Sequence, residues 1–449
     1  MIHDVIILGG GIAGLYTAYQ ILHKTPSCKI LILEKETVLG GRIHSYKDRY
    51  MSVEAGAGRF HSGQKLILQL IRELGFGSKI IDIKSDFTYI PAGGGVDGDG
   101  DSDRYDSTRN TGAFIRQLKM ASKKVSSKKL REMSFLDFAG SVLPNSDVEY
   151  IKDSFGYYTE LVSMNAHDAL YLMTEHLSGK HQFHVLSGGL SQVVDALEKK
   201  LGAYVNTTIL KRRVVETIRC HAWNSTDNMT GATVDKFEIS CLGIERKYYG
   251  KKIVCALPKQ VIEKIPIFRP LRNILEKIVC GPLCRIYSKF PLDNSGKPWF
   301  QDLSKITTNN NLRMIIPADT STGVLMSSYT DNKFAKYWKK LYDRDCRNMG
   351  ASVVNHYRAV NHQLVKLLRE TTGKNVPEPI STKVFYWDCG VGYWGVGANS
   401  SEISRFILKP FEHDLFICGE HFSEKNQQWM EGALETSQKI VEKIFSKDI

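Results

Sequence analysis

Four consecutive apolar residues, Val5–Leu8, lead directly into glycines, and the stretch IAGLYTAYQIL that follows carries apolar positions at helical spacing. This predicts a fully buried strand feeding an amphipathic helix. A second short apolar run, KILILEK, predicts the next strand. Near the other end, Leu415–Cys418 repeats the strand signal, and WMEGALETSQKIVEKI predicts a helix starting at about Met430. The pattern from Ala113 to about Ser178 is mostly helical. From 260 to 400 it holds strand-like runs (LCRIYSKF, LRMIIPA, GVLMSSYT) and a long polar helix around 333–370. Residues 91–112, PAGGGVDGDGDSDRYDSTRNTG, have almost no apolar content and predict a mobile loop. The class is α/β, with pieces of one sheet domain separated by inserted segments.

Length adds that 449 residues exceed one ordinary core, so two or three domains or a large inserted lobe are expected. The net charge of +12 is dispersed and comes with no nucleic-acid motif, so no nucleic-acid partner is expected. Nine cysteines, an odd number without a CxxC pair, predict a reduced intracellular protein. No apolar run reaches the roughly 18–20 residues of a membrane span. Because MIHDVIILGGG starts at once with a buried-type strand, no cleaved leader is expected and the location is read as cytoplasmic.

The first chemistry lies in Gly9-x-Gly11-x-x-Gly14. Gly9 permits the tight turn, Gly11 lets the backbone approach a pyrophosphate, and Gly14 allows close strand–helix packing. Phosphates then sit on the helix N-terminus. Glu34, 20 residues past Gly14, is placed to hold a ribose diol. NAD and FAD sites share this fingerprint. Gly40-Gly41-Arg42 adds a second flexible turn and an arginine fork suited to a pyrophosphate. In SVEAGAGRFHSG, small residues Ala55–Gly58 let a backbone press against something flat, and Arg59 follows immediately. A metal site at His181-x-x-His184 lacks a Cys or carboxylate to complete it, and no metal is expected.

These motifs, with VLSGGLSQVVDALEKKL, VVETI and LFICGEHFSEKNQQWMEGALETSQKI, resemble the flavin-containing amine oxidases, most closely the L-amino-acid oxidase branch. The resemblance implies a discontinuous Rossmann-like FAD-binding domain (1–62, 185–258 and 405–449), a sheet-based substrate domain (63–112 and 260–404) and a helical lobe (113–180). It implies FAD, with Glu34 on the ribose, Arg42 on the pyrophosphate and Val215 beside the adenine. Gly56, Ala57 and Gly58 would pass the flavin ring, and Gly419, Glu420 and the helix from Met430 would face it. Arg59 would clamp a substrate carboxylate, with Trp429 and Trp394 as aromatic walls. Arg285 stands where the family has a lysine near the flavin, which puts fast reaction with O2 in question. Cys389 lies near the region where some relatives attach flavin, but out of register with them. The implied reaction takes hydride from the Cα of an amine, with an L-amino acid as the favoured substrate. An imine forms and hydrolyses to an oxo acid and ammonia, while O2 becomes peroxide. An amine or polyamine oxidase that ignores carboxylates, and an FAD-binding protein with little turnover, are the alternatives.

Overall fold

In the computed structural model the described residues are 2–84, 87–93, 110–226, 233–348 and 357–446. The expected loop at 91–112 falls mostly outside them. The strand Ile2–Leu8 lies at the centre of a seven-stranded sheet, parallel to Ile30–Leu33 on one side and to Ile244–Cys255 on the other. Thr207–Leu210 extends the sheet beyond Ile30–Leu33, and Leu415–Ile417 pairs with the last residues of Ile244–Cys255. An antiparallel meander, Val215–Thr226 and Thr233–Cys241, completes it. All four residues of Ile30–Leu33 are buried, as a strand covered on both faces requires. Helices Ile12–Lys24, Ser191–Gly202 and Met430–Phe445 cover one face through Leu15, Val193, Leu197, Leu434 and Ile440.

A six-stranded sheet lies beside it, in the order Ser381–Trp394, Ile278–Lys289, Val324–Asp331, Met314–Asp319, Ile306–Thr307 and Thr88–Tyr89. The long helix expected around 333–370 is two helices, Asn332–Asn348 and Arg358–Thr372, both contributing to a core around Trp338 and Leu364. A cluster of short helices between Thr111 and Tyr171 forms its own core around Phe135, Phe138 and Leu161.

Two buried charges fasten that cluster to the sheet. The Asp331 carboxylate accepts the N–H groups of Tyr158 (3.0 Å) and Thr159 (2.6 Å) at the start of helix Tyr158–Val162. Arg313 donates to the carbonyls of Lys152, Asp153 and Phe155 where helix Asn145–Ser154 ends. Each charge has the sign that complements its helix terminus. Among the described residues no helix is long and apolar enough to cross a membrane.

Candidate active site

Two glycine turns meet at the top of the central strand. Gly9 has φ 102°, and a Cβ on Gly14 would lie 2.0 Å from the Gly9 carbonyl oxygen, so neither position accepts a side chain. Gly41 lies in the left-handed region, at φ 59°, and a Cβ on it would touch the Gly11 Cα at 3.6 Å, so the two turns are in contact. Glu34 is buried and accepts from Gly10 N–H (2.7 Å) and Glu36 N–H (2.8 Å), with lone pairs remaining for a diol. Helices Ile12–Lys24 and Met430–Phe445 both begin without a side-chain cap, at Gly11 and Trp429. No side chain therefore competes with an anionic or carbonyl acceptor at either helix start, although in the second Gly432 N–H is taken by the Trp429 carbonyl (3.1 Å). Val215 is partly buried at the start of its strand, and Met430 is buried at the start of its helix.

Arg42 pairs with Glu420 and donates to the Gly390 carbonyl (3.1 Å). Glu420 also accepts from Gln428 N–H (2.8 Å) and from His421 Nε2, while His421 Nδ1 accepts from Lys259 N–H. Burial alone pushes the Glu420 carboxyl up, but His421 and Arg42 together pull it down to about 2. Gly419, at φ 136°, turns the chain from the strand Leu415–Ile417 into this cluster.

The stretch Glu54–Gly58 is held from behind. Arg285 Nη1 donates to the carbonyls of Glu54 and Gly56, Tyr287 to that of Glu54 (2.9 Å), and Trp387 Nε1 to that of Ala55 (2.9 Å). Ala57 N–H bonds the Arg42 carbonyl, and a Cβ on Gly56 would come within 1.9 Å of that same oxygen. Arg285 packs against Tyr329, 4.6 Å from its ring, and lies close beneath Gly58. Arg285 thus braces the turn from behind.

Arg59 emerges from this turn into a cavity of about 490 Å³ lined by Phe87, Tyr89, Tyr150, Phe155, Tyr157, Phe183 and Met314. Its Nη2 donates to the Tyr157 hydroxyl (2.8 Å), and its guanidinium lies 4.7 Å from the Phe183 ring and 5.9 Å from that of Trp429. Among the described lining residues Arg59 is the only charged one. Burial drives the Tyr157 hydroxyl well above its usual range, so it stays protonated. Trp429 is thus brought to Arg59. Trp394 is not: it is 1 % exposed in the core under the first sheet, its Nε1 bonded to the carbonyls of Ser423 and Glu424. The reading of Trp394 as a pocket wall is corrected to a core residue.

Behind Trp429 stands a pair of histidines that sequence reading missed. Gly63 N–H donates to His61 Nδ1, which fixes the proton of the neutral ring on Nε2. That Nε2–H donates to His176 Nδ1 (2.9 Å), and His176 Nε2–H donates to the Lys425 carbonyl (3.1 Å). Burial, with His176 and His181 nearby, lowers His61 to about 3. His181 stacks on His61 while His184 bonds Asp82, so the two histidines of the H-x-x-H motif serve different partners. Among the described residues only Cys280, Cys389 and His421 bring three metal-type ligand atoms together, and the two cysteines are joined as a disulfide. That bond corrects the expectation of nine reduced cysteines.

The model of a family described as flavin containing amine oxidoreductase matches residues 12–444. An uncharacterized protein of Acanthamoeba polyphaga mimivirus is 20% identical over 98% of this chain and 94% of its own. A coproporphyrinogen III oxidase of Staphylococcus aureus is 32% identical, over only 20% of this chain and 19% of its own. Among solved structures, wild-type putrescine oxidase bound to putrescine superposes with a TM-score of 0.74 at 15% identity, covering 100% of both chains. A redesigned putrescine oxidase variant reaches 0.76 at 16% identity, also over 100% of both. At such identities the likeness of the structures is one of fold.

Proposed function

Because the chain belongs to the flavin containing amine oxidoreductase family, and FAD is accordingly its cofactor, we propose that it oxidises the Cα–N bond of an L-amino acid bearing a large neutral side chain. One observation carries this reading: the single charge among the described lining residues of the cavity is the cation Arg59, held ready by Tyr157, Phe183 and Trp429. A planar guanidinium binds a carboxylate through two parallel hydrogen bonds and fixes the orientation of the Cα–H. A diamine such as the ligand of the putrescine oxidase structure would bring a second cation into a cavity whose described walls offer it no carboxylate.

Phe87, Tyr89, Tyr150, Phe155, Tyr157 and Phe183, with Leu177 and Met314, suit an aromatic or bulky aliphatic side chain, beside a polar stretch of Thr88, Asn110, Thr111, Ser154 and Thr307. Gly9, Gly11, Gly14, Gly41 and Arg42 would hold the pyrophosphate and Glu34 the adenosine ribose. Gly56–Gly58 would lie along the flavin ring. When bound, FAD accepts the hydride from Cα and passes the electrons on to O2. None of the described lining residues is a carboxylate or histidine, and Tyr157 holds its proton, so the substrate ammonium gives its proton to solvent. The imine hydrolyses after leaving the cavity.

The test is peroxide formation across a panel of L-amino acids, their decarboxylated amines and diamines, with flavin bleaching under anaerobic conditions as a second readout. Bleaching by aromatic or bulky aliphatic L-amino acids, at rates rising with pH, is expected. Bleaching by amines and diamines but by no amino acid overturns the reading.

A further inference from the structure

The strand Ser381–Trp394 lines the cofactor cradle along residues 387–392. Trp387 holds the Ala55 carbonyl, the Gly390 carbonyl accepts from Arg42, and Gly392 N–H donates to Glu420 (3.3 Å). In the middle of this stretch the ladder breaks. Gly281 pairs with Val391 and Leu283 with Trp387, so residues 388–390 bulge away from the neighbouring strand. The covalent tether across that break is the Cys280–Cys389 disulfide, joining residues 109 positions apart.

The two sulfurs differ. Cys280 is partly exposed, whereas Cys389 is buried with its Sγ 3.8 Å from His421 Nε2, and that nitrogen lies 3.0 Å from Arg42 Nη1. Cys280, the more exposed of the two, is the sulfur that a thiolate from solvent attacks, and the thiolate released at Cys389 forms 3.8 Å from the His421 Nε2–H, which it shares with the Glu420 carboxylate. We propose that Cys280–Cys389 is an exchangeable disulfide, opened by a dithiol reductant at Cys280, whose opening loosens the cradle around the FAD dinucleotide. In the first step the reductant's sulfur bonds to Cys280 Sγ, the S–S bond breaks, and its electron pair leaves on Cys389. The reductant's second thiol then displaces Cys280, so the reductant ends as a disulfide and the protein gains two thiols. Without the tether the bulge is free to withdraw the Gly390 carbonyl from Arg42.

The holoprotein, untreated or incubated with dithiothreitol without denaturant, is compared with a Cys280→Ser/Cys389→Ser double variant. Accessible thiols are counted, and FAD affinity is followed by flavin fluorescence. Reduction should add two thiols, absent from the double variant, and raise the Kd for FAD roughly tenfold, the scale of one charge-assisted hydrogen bond. Reoxidation should restore the original Kd. The double variant should hold the weakened Kd whatever the reductant. Cys280→Ala alone serves the same purpose if the double variant does not fold. A disulfide that resists reduction until the protein unfolds overturns the proposal, as does a reduced protein that binds FAD as tightly as the oxidised one. Flavin retained in the acid pellet after reduction also overturns it, since Cys389 would then be capturing the cofactor.

Discussion

Arg59→Ala removes the cation that the proposed function rests on while leaving the turn that carries it. The carbonyls of Glu54, Ala55 and Gly56 remain fixed by Arg285, Tyr287 and Trp387, none of which touches the Arg59 side chain through these bonds. FAD affinity should therefore be nearly unchanged. The guanidinium is half-buried, flanked by Phe183 and Trp429 and tied to Tyr157, so a bound carboxylate meets it largely desolvated. Losing such a pair costs about 2–4 kcal/mol, or roughly 30-fold to 1000-fold in kcat/KM. Arg59→Lys keeps the charge but loses the fork, and should fall between the variant and the wild type. The assay compares an aromatic L-amino acid with its decarboxylated amine by peroxide release, with anaerobic flavin reduction separating binding from the later steps. The amino acid should lose the full factor and the amine little. Equal losses for both substrates would show that Arg59 serves the flavin or the fold, and the carboxylate reading would be abandoned.

Arg285→Met strips the Gly56 carbonyl of its side-chain donor and leaves the Glu54 carbonyl with Tyr287 alone; at about 1–3 kcal/mol for one unsatisfied group, the denaturant midpoint should fall along with FAD affinity. Gly56→Ala forces a methyl against the Arg42 carbonyl, and a loss of about 1–3 kcal/mol with weakened flavin retention is expected in thermal melts of the holoprotein. His61 is lowered to about 3 in the fold but titrates near 6.5 when unfolded, so below about pH 6.5 the unfolded chain binds more protons. Stability should be full above that pH and decline toward pH 3, by at most about 1.4 kcal/mol per unit from this group, and His61→Gln should flatten the slope. Acid precipitation of the oxidised protein should release FAD into the supernatant, because the Cys389 sulfur is already bonded to Cys280.

What the sequence made legible is what is local. The phosphate turn, its strand and its helix lie within residues 2–24, so spacing alone announces them. The opening of the Met430–Phe445 helix and the arginine after the small-residue turn are read in the same way. The strand Ser381–Trp394 escaped because Gly390 and Gly392 and a bulge interrupt its alternation. Trp394 was misplaced for a related reason. Adjacent strand residues face opposite ways, so Tyr393 packs over Gly281 in the core of the helical cluster while Trp394 enters the core on the other side; which aromatic goes where depends on a register that a bulge has shifted. Tyr157, 98 positions from Arg59, carries no local signal at all. Nor does His176, whose partner His61 is 115 positions away.

The same distances explain how the site is assembled. Arg59 is fixed from two directions by parts of the chain that share no local structure. From below, the carbonyl braces of Arg285, Tyr287 and Trp387 come from adjacent strands of the six-stranded sheet. From above, Tyr157 arrives with the helical cluster, and its neighbours Tyr158 and Thr159 are anchored by Asp331 from that same sheet. The sheet therefore sets both the turn along which the flavin would lie and the hydroxyl that aims the arginine. A shift of the helical cluster relative to the sheet would change the aim of Arg59 without touching the phosphate turns around Gly9–Gly14. Under the proposed function, substrate recognition is by this geometry mechanically separable from the hold on the phosphates, although the turn and the arginine's aim both depend on the three neighbouring strands Ser381–Trp394, Ile278–Lys289 and Val324–Asp331.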